Sequence, residues 1–383
     1  MNPRLPTVYE ELSDPAIDVS LGDQIAAVIT EDGGLWTAGR SETFALGQGE
    51  SISSCSTLKR VEALAAVPMA KVVSGEGFML GLSRDGDVFS WGYGGSWSKP
   101  GALGHGGIDS QPEPALVAAL EGKQVVDIAA GRSHALAVTA DGSCYAWGNG
   151  ELGRLGNGGH HSELPALVEA LEDEMVVSVA AGGNFSMAVT AGGSLWAWGK
   201  NEHSQLGLGQ QLAMDVNTCE NFPTLNDTLV GNCAAVAAGS NQALAISWDK
   251  RVFQWGARAF IVPTERAEFT DAADGEHAVS VCAGPGLYGV LTNLGRAYTW
   301  GGKVGKGGLG VDTQKKSLHP VLLQSLVDAG VSLRCLKLGP QGGAGIIGTP
   351  EPLPSPPADL DTGADELGSA TGEKGFFRDL LGL

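Results

Sequence analysis

Short apolar runs of five to seven residues, each bounded by glycine, aspartate or serine, recur along the chain. One cycle reads Val125-Val126-Asp127-Ile128-Ala129-Ala130-Gly131, then Ala135-Leu136-Ala137-Val138-Thr139, then Ser143-Cys144-Tyr145-Ala146-Trp147-Gly148. Runs this short, framed by turn formers, predict strands and not helices. Asp141-Gly142 separates the last two runs. Asp-Gly supplies the positive φ angles of a two-residue type I′ turn, so those runs are expected to pair as a hairpin.

The cycle keeps a fixed length. Gly22, Gly75, Gly131, Gly182, Gly239 and Gly284 are each followed 17 residues later by Gly39, Gly92, Gly148, Gly199, Gly256 and Gly301. A seventh copy starts at Gly339 and stops before its Trp-Gly. Connectors between these units vary from 28 to 40 residues. A packed hairpin demands rigid spacing, because one inserted residue turns its apolar set to the wrong face, whereas surface loops tolerate length changes. The turn slot is filled by Asp32-Gly33, Asp85-Gly86, Gly192-Gly193, Asp249-Lys250 and Leu294-Gly295 in the other copies.

Small residues around the first run, as in Ala180-Ala181-Gly182, let strands crowd toward a common axis. Trp91, Trp147, Trp198, Trp255 and Trp300 are placed to bury large apolar areas between neighbouring units. Connector stretches such as Pro114-Ala115-Leu116-Val117 and Pro165-Ala166-Leu167-Val168 supply a fourth strand. Four strands per period and seven copies predict an all-β chain folded as a seven-bladed β-propeller. Because the seventh copy is short, residues 5 to 13 are expected to lend it a strand from the other end of the chain.

These residues resemble the repeat family of the regulator of chromosome condensation. Its pattern is Ala-x-Gly-x-x-His before an Ala-Leu strand, then Asp-Gly, Trp-Gly, and Asn-x-x-x-x-Leu-Gly-x-Gly. The third copy follows it through Ala130-Gly131-Arg132-Ser133-His134-Ala135-Leu136, Asp141-Gly142, Trp147-Gly148-Asn149 and Leu155-Gly156-Asn157-Gly158. The fourth continues it with Trp198-Gly199-Lys200-Asn201, Gln205-Leu206-Gly207 and Gly209. The resemblance covers residues 8 to 349 and implies the propeller, while family members serve as exchange factors, light sensors, inhibitors and scaffolds. The family's ultraviolet sensors place Trp directly after the repeat glycine. Those positions here are Asp23, Glu76, Arg132, Gly183, Ser240, Pro285 and Pro340, which argues against light sensing. The exchange factors press a wedge from one connector against a GTPase. The nearest candidate is Tyr93-Gly94-Gly95-Ser96-Trp97-Ser98-Lys99-Pro100, where Trp97 is either an exposed anchor for a partner or a cap on its blade.

Charge narrows the partners. The 43 acidic against 24 basic residues give a formal net charge of −19. Such a surface repels phosphates, so no direct nucleic-acid binding is expected. The residues around Arg4 lack the apolar run of a signal peptide, and no 18-residue apolar run spans a membrane. Cys55, Cys144, Cys219, Cys233, Cys282 and Cys335 are scattered without a Cys-x-x-Cys, which argues against structural zinc and for a reducing compartment. Cys144 and Cys282 read as small buried residues. The cytoplasm is the expected location, with the nucleus open and secretion excluded.

Composition changes at Pro350, where Pro350, Pro352, Pro354, Pro356 and Pro357 crowd into eight residues. Residues 1–349 are therefore assigned to the propeller and 350–383 to a Pro-rich, acidic, disordered tail. Within that tail Phe376, Phe377, Leu380 and Leu381 would share one face of a helical turn, as a partner-docking peptide or as a segment that folds back on its own chain.

Chemistry is sparse. Gly305-Lys306-Gly307-Gly308-Leu309-Gly310 matches Gly-x-Gly-x-x-Gly but lies in a repeat loop, not at a helix start, so no dinucleotide cofactor is expected. His160, His161 and His203 sit in connectors without ligand spacing, and no metal is assigned to them. His134 fills the repeat's own His slot and reads as a core histidine bonded within its blade. With no nucleophile elbow and no distinct carboxylate pair, the chain is read as a non-enzyme without catalytic or cofactor-binding residues. Two functions follow: a monomeric protein-interaction scaffold, and, by resemblance, a guanine-nucleotide exchange factor for a Ran-like or Rab-like GTPase.

Overall fold

The computed structural model describes residues 12, 14–96, 99–209, 219–269, 275–302, 316–339 and 342–356. Six four-stranded antiparallel sheets follow one another in sequence order, each with its strands side by side as they occur in the chain. Blade three comprises Val125–Ala130, His134–Thr139, Cys144–Gly148 and Ser162–Leu167. The fourth strand thus comes from the connector, as the Pro165 stretch predicts. Residues 5–11 and 13 lie outside the described residues, so their contribution to closure does as well.

The expectation of seven blades needs correction: among the described residues there are six complete blades and, in the seventh position, a sheet of only two strands. Leu333–Gly339 pairs with Gly342–Ile347 and sits between blades six and one, against Ala278–Gly284 on one side and Ala16–Leu21 on the other. The physical reason lies in the sequence after Ile347. Pro350, Pro352 and Pro354 cannot donate to a sheet ladder, and no Trp-Gly run follows.

The turn type also differs from expectation. In blade three the Gly142 amide donates to Thr139 O at 2.9 Å and the Thr139 amide to Ser143 O at 3.0 Å. Gly142 has φ of 84° while Asp141 has no positive φ. This is a type I turn completed by a left-handed glycine, a three-residue loop, and not the type I′ turn. Asp141 is freed to accept from Thr139 Oγ1 and from the Ser143 amide. Blade five has no glycine there, and Lys250 takes φ of 67° instead.

The glycine at the end of each third strand is enforced sterically. At Gly39, Gly92, Gly148, Gly199, Gly256 and Gly301 φ lies between 88° and 119°. A Cβ on Gly148 would come 2.6 Å from the Ser133 carbonyl oxygen. Only glycine meets both conditions, which fixes the far end of the 17-residue interval.

Core packing lies between blades. One cluster joins Phe78, Leu80 and Leu82 of blade two to Val125, Ile128, Ala135 and Trp147 of blade three. Trp91, Trp147, Trp198, Trp255 and Trp300 are all 1% exposed or less, as the packing role predicts. Each indole also spans a seam. Trp91 donates to Ala45 O at 3.0 Å, Trp147 to Ala102 O at 2.8 Å, Trp198 to Arg154 O at 3.0 Å and Trp255 to Gln205 O at 2.9 Å. The acceptor always belongs to the Leu-Gly-x-Gly loop of the preceding blade. The second glycine of that loop donates onward to the next blade's fourth strand, as Gly106 does to Glu163 O at 3.1 Å. Trp300 departs from the rule and donates to Gln254 Oε1 at 2.9 Å.

Polar side chains tie the inner strands as well. Asp127 accepts from Lys71 Nζ at 2.5 Å, from Ser178 Oγ at 3.1 Å and from the Val179 amide at 2.9 Å, linking blades two, three and four. Asp18 repeats part of this in blade one, accepting from the Val72 amide at 2.9 Å. Burial works against the Lys337 ammonium, but Asp18 is the chief attraction among several that raise its pKa. Asp127→Asn keeps the shape and removes the charge that faces Lys71. It should destabilise by about 1–3 kcal/mol, read as a lower urea midpoint with an unchanged slope.

Candidate functional site

The seam logic makes the propeller rigid and leaves its loops as the variable part. On the face where each inner strand turns back, blades one to three enclose a cleft of about 810 Å³. Its lining includes the residues that follow the repeat glycines, Asp23, Glu76 and Arg132, together with Arg40, Glu42, Phe78 and Tyr93.

A small hairpin contributes to the lining of this cleft. Gly95 pairs with Pro100 and Ser96 with Lys99, and both strands line the cleft. Trp97 and Ser98, which join them in sequence, lie outside the described residues. The root of the hairpin is backbone packed on backbone. A Cβ on Gly95 would sit 2.1 Å from the Gly101 amide nitrogen, and one on Gly94 would sit 2.2 Å from Asp109 O. The Gly101 amide donates to Gly94 O at 3.0 Å, Gly94 to Ser110 Oγ at 3.1 Å, and Tyr93 to Gly77 O at 2.8 Å. Three glycines therefore permit the close backbone packing at the root of the second connector's hairpin. Gly94, Gly95 and Gly101 were the sequence signal for it, and the repeat pattern alone does not contain them.

Charges here are paired but accessible. Arg132 Nε lies 2.7 Å from Glu76 and Arg40 2.8 Å from Glu42, with every side chain at least 60% exposed. Pairs this open contribute about 0–1 kcal/mol and can be exchanged for a partner's charges. Lys99 is exposed on the hairpin, and Tyr93 is 45% exposed. The cleft lining contains neither Cys nor His. It offers hydroxyls, ion pairs and two aromatic rings, a surface for recognition.

The buried titratable groups lie elsewhere. His134 Nε2 meets Ser186 Oγ at 2.9 Å, and Ser186 Oγ donates to Arg154 O at 2.7 Å. With its one proton given to Arg154, Ser186 must accept from His134, so the imidazole carries its proton on Nε2. The bond crosses to blade four, which corrects the expectation of a bond within one blade. Burial, with the nearby Arg154 cation, pushes the His134 pKa down to about 3. Burial pushes the Cys144 and Cys282 thiols up to about 12, so both are inert core groups. Among the described residues no three His, Cys, Asp or Glu side chains gather as a metal site. Gly305–Gly310 and Phe376, Phe377, Leu380 and Leu381 lie outside the described residues.

A ring of four-stranded blades, seamed by Trp-to-loop bonds and loops on one face, defines the propeller of the chromosome-condensation regulators. The RCC1-like domain model matches residues 2–261, and the chain belongs to that family. The E3 ubiquitin-protein ligase HERC2 of Homo sapiens is 31% identical over 337 residues, which are 84% of this chain and 7% of that protein. The mitochondrial RCC1 domain-containing protein RUG3 of Arabidopsis thaliana is 34% identical over 229 residues, 57% of this chain and 50% of that one. The chain thus spans half or less of these relatives. The solved structure of Prp20p from Saccharomyces cerevisiae, described with its binding to Gsp1p and histones, has a TM-score of 0.73 at 21% identity. It covers 88% of this chain and 82% of that one, a likeness of fold. Among the described residues no helix is long and apolar enough to cross a membrane.

Proposed function

We propose that this chain is a non-enzymatic interaction regulator of the cytoplasm. Its partner-binding surface is the cleft of blades one to three together with the hairpin Gly95–Pro100. The observation that carries this reading is the glycine-rooted hairpin sharing one cleft with exchangeable ion pairs, in a described lining that holds neither Cys nor His. Trp97, which joins the two strands in sequence, is the anchor in this reading, since Trp is enriched at interface hot spots. Residues 1–349 form the ring in this reading, and residues 350–383 are a tail whose Phe376, Phe377, Leu380 and Leu381 offer a second contact. Net charge of −19 favours a protein partner with a basic patch over nucleic acid.

The same hairpin favours one second reading, exchange on a small Ran-like or Rab-like GTPase. A wedge from this connector needs no catalytic side chain; it has to bind the nucleotide-free GTPase better than the loaded one. Release of a fluorescent GDP analogue from a panel of such GTPases separates the two. The interaction reading expects unchanged release across the panel. Concentration-dependent acceleration for one GTPase, lost in a Trp97→Ala variant, would replace it with exchange.

A further inference from the structure

The seams of the ring are not tied alike. From blade one to blade five, each indole donates to a loop carbonyl of the blade before it. The next two seams depart from that rule. After Gly256 the chain runs through Ala257-Arg258-Ala259 with no Leu-Gly-x-Gly, and Trp300 bonds the Gln254 side chain instead. Between blades six and seven there is no indole donor, because no Trp follows Trp300 in the chain. Blade seven meets blade six through apolar packing alone in this layer, with Leu333 and Leu336 against Val279, Cys282 and Leu291.

The segment that leaves blade seven joins the blades on either side of these two seams. It is pinned first at Gly348, whose amide donates to Ser332 O at 2.9 Å and whose carbonyl accepts from Ser332 Oγ at 3.2 Å. Glu351 then lies 3.6 Å from Arg334 of blade seven. Leu353 packs on the apolar cluster that blades five and six share, built from Leu244, Ile246 and Val252 on one side and Tyr288, Val290 and Trp300 on the other. Leu353 is partly buried while Pro352 and Pro354 beside it are exposed, so one apolar side chain is seated from a solvated segment. Pro350, Pro352, Pro354 and Pro356 fix their own φ and bias each residue before them toward extended backbone. Such a segment rises about 3.1 Å per residue, so Gly348 to Leu353 spans about 15 Å, more than the ~10 Å between facing sheets. It is long enough to pass blade six without a turn, and its stiffness keeps the entropy lost on docking small. The Glu351 side chain is 83% exposed, and an ion pair this open holds little, which leaves the hold to Leu353.

We propose that residues 348–356 are a latch on the ring: Leu353, seated on blades five and six, holds blade seven in place where the indole tie is missing. The folded body then runs to Pro356 and does not end where the composition changes at Pro350. Unseating Leu353 loosens blade seven and leaves blades one to five closed, because those seams keep their own indole bonds. The latch does not involve the hairpin face and stands or falls independently of it.

Amide hydrogen exchange on the full chain tests it, with Leu353→Asp as the unlatched variant. The amides that pair Leu333–Gly339 with Gly342–Ile347 should exchange about tenfold or more faster than in the parent, while those of His134–Thr139 in blade three stay within about twofold. Leu353→Ala should show the same pattern at smaller amplitude, and Leu353→Met should keep the parent's protection. Ser355→Ala, at an exposed neighbour, should change nothing. Unchanged exchange in blade seven of Leu353→Asp would overturn the proposal. Equal acceleration in blades three and seven would overturn it too, because Leu353 would then be a general stability contact. So would a Ser355→Ala variant that matches Leu353→Asp, since the effect would not come from the seated side chain.

Discussion

Trp147→Ala is expected to destabilise the protein by about 3–5 kcal/mol, the range for removing a large aromatic from a closed core. Trp147 has no exposed surface, and its ring packs with Leu103, Val117 and Leu120 of blade two's connector and Ile128 of blade three. Truncation leaves a cavity at the seam and strips the Ala102 carbonyl of its 2.8 Å donor. The loss would not stay local. Blades meet only their neighbours, so an opened seam weakens the closed ring as a whole. Urea denaturation followed by tryptophan fluorescence and by circular dichroism checks it, with the midpoint falling on both probes together. A loss under about 1 kcal/mol would mean that the seam bond and its packing do not hold the blades together.

His134→Phe should remove a large part of the acid sensitivity. Burial, with the Arg154 cation nearby, holds the folded imidazole down to about 3, against 6.5 for an ordinary histidine. It is therefore neutral in the folded protein, while the unfolded chain takes up a proton as pH falls below 6.5. The folded pKa is depressed, so its contribution is complete above 6.5 and is lost progressively between 6.5 and 3. At 1.36 kcal/mol per pKa unit the loss reaches about 4–5 kcal/mol at the acid end. Phenylalanine fits the slot, because Phe78 and Phe185 occupy it in blades two and four with the same approach to their repeat glycines. Ser186 still donates to Arg154 O. Carboxylates such as Asp32 and Asp141, held low chiefly by threonine hydroxyl bonds, lose their contribution only as pH falls below their unfolded value of 3.8, and do so in both proteins. The difference between variant and parent isolates the histidine. Urea midpoints at pH 7 and pH 4 should converge for the variant relative to the parent; parallel midpoints would show that His134 is protonated in the folded state.

The ring was legible because its determinants are local and repeated. A glycine that must take φ near 100° fixes one end of the third strand, and the Asp-Gly turn fixes the other. The turn type was not legible, since Asp-Gly serves both loops and only the Thr139 to Ser143 bonding distinguishes them. Blade number was overcounted because a repeat glycine at Gly339 starts a blade but cannot supply its third strand. Ala38 carried a hint, being small where the other blades carry Trp. The cleft was half legible. Asp23, Glu76 and Arg132 stood out as residues after the repeat glycines, but their meeting with Tyr93 and Lys99 depends on how blades one to three fan about the axis.

The claim that the hairpin face is the docking surface is tested most directly by photo-crosslinking from two positions in the full chain. A benzophenone side chain replaces Tyr93 beside the cleft, or Leu294, 42% exposed on the opposite face. The account predicts a discrete protein adduct from position 93 that disappears when Glu42 and Glu76 of the cleft lining are changed to lysine, and none from position 294. Adducts from 294 alone, or from 93 regardless of those charges, would contradict it.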